Sequence, residues 1–370
     1  MKALVVDDSV VFRSQIKSAL TSCEHFKDID VAANGRIAIN KLAKGAYDLI
    51  ILDLEMPELN GIETLQEMKR LGLRSKVIVF SSLTARGADA TLEALEHGAC
   101  DFVTKPQNVQ NFELALQHVK DQLIPKALQF TGRSTNTSTG AGVGVSTGKI
   151  AVGDTTIAPR KKIIDAPPPK WKKYTLANFI PKVCVIGSST GGPVALKELF
   201  STIRGPLKTP VLIAQHMPPV FTRTLAKSIE DQTGIPAKEA KHFEPIENII
   251  YVAPGDFHLS LKISNDRIYT ALDKRDKRNS VRPAVDYLFE SAAEVYGKGV
   301  LGMILTGMGG DGADGCCEIK NHNGCVVIQD EKSSVVWGMP GSVYRVGAYD
   351  AVQSIEECCH SIARLIGRSQ

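Results

Sequence analysis

The 370-residue sequence predicts an α/β protein of two doubly wound, mostly parallel sheets joined by a flexible basic linker, the second half carrying an added β-hairpin. Three observations predict it. Short apolar runs alternate with amphipathic runs of helical length in both halves of the chain, the rhythm of consecutive βα units. Several apolar runs, such as Leu-Ile-Ile-Leu at 49–52, are continuous, as strands covered on both faces are. Between the halves, residues 126–180 lose that rhythm to a Gly/Ser/Thr-rich stretch and a short proline spacer.

In residues 1–125 the strands are KALVVD, IDVAA, DLIILD, KVIVFS and CDFVT, separated by amphipathic runs such as Val10–Leu20, Gly61–Leu71 and Ala85–His97. Five βα units in so short a stretch fit a flavodoxin-like order, whose ligand site lies at the carboxyl ends of the strands. In residues 181–370 the strands are KVCVIG, PVLIAQ, NIIYVAP, VLGMILT and CVVIQ. Helical runs include Pro193–Phe200, Val220–Asp231, Pro283–Tyr296 and Ile355–Ile366. HLSLKISNDRIYTA alternates around Asn265-Asp266 and reads as a hairpin.

Composition narrows the function. A hydrophobic content of 43% and a charged content of 23% are those of a globular protein. No run is apolar enough to span a membrane, and MKALVVDDSV puts two aspartates where a signal peptide needs its apolar core, so a cytoplasmic protein is expected. The eight cysteines include no Cys-x-x-Cys spacing, which favours reduced thiols. Residues 131–180 hold eight basic and two acidic side chains, so the net charge of +4 belongs to the linker, and no nucleic-acid partner is expected. Trp171 and Tyr174, beside lysines, have the chemistry to stack on bases, but such residues more often pin the end of a linker to the next domain.

Asp7 and Asp8 end the first predicted strand, Asp53 the third and Ser81 the fourth, and Lys105 follows the fifth. A single aspartate there is ordinarily a helix cap. Together, three converging carboxylates ask for a hard cation such as Mg²⁺, and a hydroxyl and an ammonium beside them suit a phosphoryl group. VVDDS, ILDLEMPELNGIE, VFSS and FVTKP resemble the response-regulator receiver family along residues 1–124. That resemblance implies that Asp53 accepts phosphate from a histidine kinase. It implies that Asp8, Asp53 and the Glu55 carbonyl hold Mg²⁺, with Asp7 nearby through water. It also implies that Ser81 and Lys105 sense the phosphoryl oxygens and that Lys105–Pro106 is a cis peptide.

In the second half, VCVIGSSTGGP ends a buried strand in two serines, a threonine and two glycines before Pro193. A hydroxyl here caps the helix, or acts as a nucleophile beside amides arranged for an oxyanion. A nucleophile needs a base and an orienting acceptor. His216 follows the next strand in LIAQHMPP, and Asp311 follows another in GMILTGMGGDGADG. The order Ser189, His216, Asp311 is not the Ser, Asp, His order of α/β-hydrolases. His258 begins the hairpin, where a surface or substrate-side place is expected.

GSSTGG, QHMP, YVAPGDFHL, RPAVDYLF, LTGMGGDGADG and DEKSSVVWGMP resemble, in order, the catalytic domain of the chemotaxis protein-glutamate methylesterases, the CheB family. Ser188 stands where the family has alanine, and the match loosens after Pro340. The resemblance implies domains at 1–125 (receiver), 126–180 (linker) and 181–370 (methylesterase). It implies that Ser189 attacks a glutamate methyl ester on a methyl-accepting chemoreceptor, with His216 as base, Asp311 as its partner and backbone N–H groups of Thr190 and Met308 as the oxyanion hole. Methanol leaves, receptor glutamine is deamidated by the same route, the esterase step needs no cofactor, and a CheA-type kinase is the phosphodonor. Two other readings compete. Gly307-x-Gly309-x-x-Gly312 with Asp330 beyond the next strand fits a dinucleotide fingerprint on paper, though Asp311 inside the loop would repel a pyrophosphate. A receiver joined to a non-enzymatic partner-binding module is the other.

Overall fold

A computed structural model describes residues 1–106, 112–132 and 171–367. The Gly/Ser/Thr stretch and the proline spacer lie outside these residues.

In the first half β1 (Lys2–Val6), β2 (Asp28–Ala32), β3 (Leu49–Asp53), β4 (Lys76–Ser81) and β5 (Asp101–Thr104) form a parallel sheet in the order β2-β1-β3-β4-β5. Its strands feed two cores, as a period of two requires. Leu4, Val6, Ile50 and Leu52 face α2 (Gly35–Leu42), α3 (Gly61–Arg70) and α4 (Ala85–Glu96), whereas Ala3, Val5, Leu49 and Ile51 face α1 (Val10–Thr21) and α5 (Phe112–Phe130). Each of the first four helices starts at a side-chain cap: Ser9, Asn34, Asn60 or Thr84. The last of the five helices runs past residue 125, where the linker was expected to begin. Ala127 is buried beside Val119 and Leu123, and Lys126 reaches Asp101 at 2.9 Å, so packing carries the helix on.

The second half has β6 (Val183–Ser188), β7 (Val211–Gln215), β8 (Ala237–Glu239), β9 (Ile250–Val252), β10 (His258–Ser264), β11 (Arg267–Asp273), β12 (Val300–Ile304), β13 (Cys325–Gln329) and β14 (Ala351–Gln353). Seven of these form a parallel sheet in the order β14-β13-β12-β6-β7-β9-β8. The helices are α6 (Gly192–Ser201), α7 (Phe221–Thr233), α8 (Val285–Tyr296), α9 (Ala313–Asn321), α10 (Met339–Val346) and α11 (Ile355–Ile366). The hairpin β10–β11 is a separate antiparallel pair rather than an extension of the large sheet. It lies against α8, where Ser291 Oγ accepts the Leu261 N–H at 3.0 Å. No helix among the described residues is long and apolar enough to cross a membrane.

Among the described residues the only cis peptide is Arg282–Pro283, so Lys105–Pro106 is trans, against expectation. Trans is the lower-energy isomer even before proline, and the Lys105 ammonium still reaches its pocket from it.

The end of the linker is pinned, as the aromatic residues there led one to expect. Trp171 Nε1 donates to Asn321 Oδ1 at 2.9 Å, and the Tyr174 N–H donates to Asp350 Oδ1 at 2.8 Å. Lys320, its side chain 1% exposed, donates to both oxygens of the Asp350 carboxylate, whose side chain is fully buried, and to the Lys172 carbonyl. Removing one partner of such a pair strands a buried charge. Lys320→Ala is therefore expected to lower the unfolding free energy by about 3–5 kcal/mol in urea denaturation.

Candidate functional site

Both halves place their polar strand ends where the strand order reverses, the crevice in which doubly wound sheets bind ligands. In the first sheet this is the gap between β1 and β3. Single ligand oxygens of Asp7, Asp8 and Asp53 lie within 4.8 Å of one another there, the only such group among the described residues. Lys105 Nζ sits 2.7 Å from Asp53 Oδ2 and 3.1 Å from Asp7 Oδ2. Burial, then the charge of Asp7, pushes the Asp53 carboxyl up to about 6 against the pull of Lys105. Burial works against the charge of Lys105, but Asp53 and Asp7 overcome it and raise the ammonium. The donor set is oxygen-only and partly buried, which suits Mg²⁺. Glu55 is exposed beside it, its N–H directed to Asp53 Oδ1 at 3.3 Å. Ser81 is buried and donates to the Gly87 carbonyl in the first turn of α4 at 3.1 Å, so its hydroxyl is engaged with that helix.

In the second sheet the chain leaves β6 toward β7 on one side and later returns to β12 on the other. Ser189, His216 and Asp311 follow these three adjacent strands. Ser188 and Gln215 are register partners, so Ser189 and His216 stand one residue beyond, about one strand spacing (~4.8 Å) apart. The His216 N–H donates to the Ser188 carbonyl at 3.1 Å, which locks that register. His216 Nε2 lies 2.8 Å from Asp311 Oδ2, leaving Nδ1 as the ring nitrogen for another partner. Among the described residues nothing hydrogen-bonds the Ser189 hydroxyl. A nucleophile–base contact that is loose without substrate is common.

The structure separates the two serines. Ser188 is fully buried and donates to Gln215 Oε1 at 2.6 Å, whereas Ser189 is partly exposed with a free hydroxyl. Gly191, with φ +77°, makes the left-handed turn into α6. Gly307 leaves room for Ser189: a Cβ there would stand 2.9 Å from the Ser189 Cβ and 2.4 Å from Met339 Sδ. The Ser189 N–H is spent on the Thr306 carbonyl at 3.1 Å, but those of Thr190 and Met308 have no partner among the described residues. Asp311 is 2% exposed. Burial would raise its carboxyl, but the His216 hydrogen bond and charge, the Val285 N–H and Asn279 hold it down at about 2.

His258 is not at a surface. It is fully buried, its Nδ1 accepting the Ala284 N–H at 3.2 Å and its Nε2 lying 3.1 Å from the Asp276 carbonyl. Burial lowers its pKa, so a neutral ring braces the loop leading to α8. The fingerprint glycines form no phosphate cradle either: the Gly307 N–H is spent on the Val336 carbonyl at 2.9 Å and the Gly312 N–H on Asp286 Oδ1 at 2.9 Å, with the Asp311 carboxylate in the same loop.

The family model described as CheB methylesterase matches residues 184–362, and that of the response regulator receiver domain matches residues 3–117. A protein-glutamate methylesterase/protein-glutamine glutaminase from Trichodesmium erythraeum is 38% identical over 367 residues, spanning 99% of each chain. One from Thermotoga maritima is 37% identical over 355 residues, spanning 95% of this chain and 94% of that one. The chain belongs to the CheB methylesterase family. The crystal structure of the Thermotoga maritima CheB methylesterase catalytic domain is 41% identical and covers 50% of this chain and 98% of its own, with a TM-score of 0.49.

In this CheB-family chain the receiver rests against the serine turn itself. Thr190 Oγ1 donates to Asp101 Oδ2, at the start of β5, at 2.7 Å. Phe102 stacks on Phe221 with centroids 4.8 Å apart, and Glu96 of α4 pairs with Lys197 of α6. Sequence reasoning missed Asp101, Gln215, Asn279 and Asp286. Asp101 reads as an ordinary strand start, Gln215 as the last residue of a strand, Asn279 as a loop residue and Asp286 as a first-turn helix carboxylate. Nothing local marks their partners.

Proposed function

We propose that this chain is a phosphorylation-regulated serine hydrolase that demethylates glutamate methyl esters on chemoreceptors and deamidates receptor glutamines, giving adaptation in two-component chemotaxis signalling. The observation that carries the reading is the His216–Asp311 hydrogen bond beside a free Ser189 hydroxyl, at the meeting ends of β12, β6 and β7 in a chain of this family. Ser189 Oγ attacks the ester carbonyl as His216 takes its proton, and the Asp311 carboxylate stabilises the imidazolium. The oxyanion sits on the N–H groups of Thr190 and Met308, each donor worth roughly 10²–10³ in rate. The imidazolium protonates the leaving methoxide, methanol departs, and a water deprotonated by His216 cleaves the glutamyl-enzyme. With glutamine the same tetrahedral geometry expels ammonia. The esterase residues complete this cycle without a cofactor.

Residues 1–125 act as the receiver and 181–370 as the catalytic domain, joined by 126–180. Asp53 takes phosphate from a CheA-type kinase. Asp8, Asp53 and the Glu55 carbonyl would hold Mg²⁺, with Asp7 nearby through water, and the ion would neutralise charge at the phosphoryl group. Lys105 meets one phosphoryl oxygen. Ser81 turns to another, leaving the Gly87 carbonyl and freeing the first turn of the helix that packs on α6 and α7. That loosens the receiver from the serine turn and shifts the population toward an open site. Eight free cysteines suit a reducing cytoplasm.

The test is methanol release from membranes bearing methylated chemoreceptors. Release by the wild type, raised by a small phosphodonor with Mg²⁺ but not with EDTA, is the expected result. A chain that releases no methanol in either state would overturn the reading.

A further inference from the structure

We propose that Asn279 is a positioning residue for the esterase reaction: its side-chain amide bridges Asp311 and a second buried carboxylate, Asp286, and so sets Asp311 to hold His216. The inference rests on the Ser189–His216–Asp311 reading above. Asn279 Nδ2 lies 2.9 Å from Asp311 Oδ1 and 2.9 Å from Asp286 Oδ2. One amide nitrogen thus gives a hydrogen to each carboxylate and fixes the two against each other. With Oδ1 of Asp311 held by Asn279, Oδ2 is left for His216 and the Val285 N–H.

The two carboxylates are also joined through their helices. Asp311, just ahead of α9, accepts the first N–H groups of α8, from Val285 at 2.6 Å and Asp286 at 3.3 Å. Asp286, in the first turn of α8, accepts the Gly312 and Gly315 N–H groups at the start of α9, at 2.9 and 2.8 Å. Each carboxylate caps the other's helix, and both gain from the positive ends of the two dipoles. Two buried like charges this close would repel without a donor between them. Asn279 is that donor, and neighbouring Arg278 supplies the countercharge, its Nε 3.2 Å from Asp286.

The backbone supports a dedicated role. Asn279 and Ser280 both take left-handed φ, +52° and +65°, a conformation costly for any side chain though least so for asparagine. Such strain persists where the surroundings demand it. Here it turns the amide of an otherwise exposed loop residue inward onto two buried carboxylates.

The charged and titratable groups facing Asp286 are Arg278 from its loop, Asp311 from the turn after β12, Asp314, Cys316 and Cys317 from α9, and Glu290 of α8 through Arg278. Burial, then the charge of Asp311, pushes the Asp286 carboxyl up, but its oxygens receive four N–H donors and no acceptor, the pattern of a carboxylate. Its negative charge therefore acts behind Asp311 on the imidazolium.

The experiment measures kcat, KM and the pH dependence of kcat/KM for the full-length, phosphodonor-treated chain on methylated receptor membranes. Asn279→Ala is expected to lower kcat roughly 10- to 100-fold with KM changed less than about 2-fold, because the error lies in aim rather than in substrate binding. Losing the amide leaves more uncompensated negative charge near the imidazolium, so the acid limb moves to higher pH. Asp286→Asn removes that charge and moves the limb to lower pH. Opposite shifts are not produced by mere loosening of the fold. Wild-type kcat with an unmoved limb in Asn279→Ala overturns the proposal, and so does a kcat loss with no shift of its limb. Should Asp286→Asn fail to fold, Asn279→Ala, at an exposed loop position, decides alone. Turnover retained by Ser189→Ala would instead bring down the underlying triad reading.

Discussion

Ser189→Ala is expected to lower methanol release from methylated receptors by roughly 10⁴-fold or more, the scale seen when a triad nucleophile is removed. Ser188→Ala is expected to stay within about 10-fold of wild type, because the hydroxyl it loses takes no part in the chemistry and the turn around Ser189 is held by other bonds. The contrast is informative because the serines are neighbours. Ser188 closes β6, and its hydroxyl is consumed inside the sheet by Gln215 at 2.6 Å. Ser189 is one step beyond the last strand residue, its N–H held by the Thr306 carbonyl, its carbonyl by the Gln215 amide at 2.9 Å and the Gly192 N–H at 2.8 Å. The backbone of Ser189 is fixed on every side while its hydroxyl is free, the arrangement that preorganises a nucleophile. Ser188→Ala leaves Gln215 Oε1 short of a donor and is expected to lower stability by about 1–3 kcal/mol without touching the mechanism. Equal turnover by wild type and Ser189→Ala would show that Ser189 is not the nucleophile.

Removing residues 1–130 is expected to raise the basal rate of the unphosphorylated enzyme about 10-fold or more, and Asp53→Ala in the full chain is expected to abolish the response to a phosphodonor. The physical reason is the contact between Asp101 and Thr190. Thr190 carries one of the two N–H groups assigned to the oxyanion, and its side chain is tied to the receiver at 2.7 Å. The Phe102–Phe221 stack and the Glu96–Lys197 pair hold the same face. On the proposed occlusion, a bulky receptor helix would be kept out while they persist. If the closed arrangement outnumbers the open one 10 to 1, deletion can release about that factor and no more. Asp101→Ala is a gentler form of the same experiment, with a smaller rise expected. A truncated enzyme no faster than the intact, unphosphorylated chain would argue against occlusion.

Much of the fold was legible because its signals are local. Continuous apolar strands ending in Asp53 or Gly187 announce themselves, as do the amphipathic runs that begin at Val10, Gly61 and Ala85. The three-residue edge strands β8 and β14 were not, since neither has an apolar run. Residues 126–130 fall to the linker in the sequence because their helical state depends on Ala127 and Lys126 finding partners on other elements. His258 was misplaced for a related reason. The alternation of the hairpin shows which residues share its face, but not that α8 and the loop before it close over that face.

By itself the sequence determined the class of sheet, the three polar residues at its strand ends, the acid pocket and the likeness to a known family, because residue type and spacing are properties of a single chain. Only the tertiary structure decided which of two adjacent serines is free, and that Asn279 binds two carboxylates, one in the first turn of α8 and one in the loop ahead of α9. It alone decided that Asp101 of one domain meets Thr190 of the other. Those are contacts between residues far apart in the chain, and a hydrogen bond depends on distance and direction in space, which no residue encodes alone.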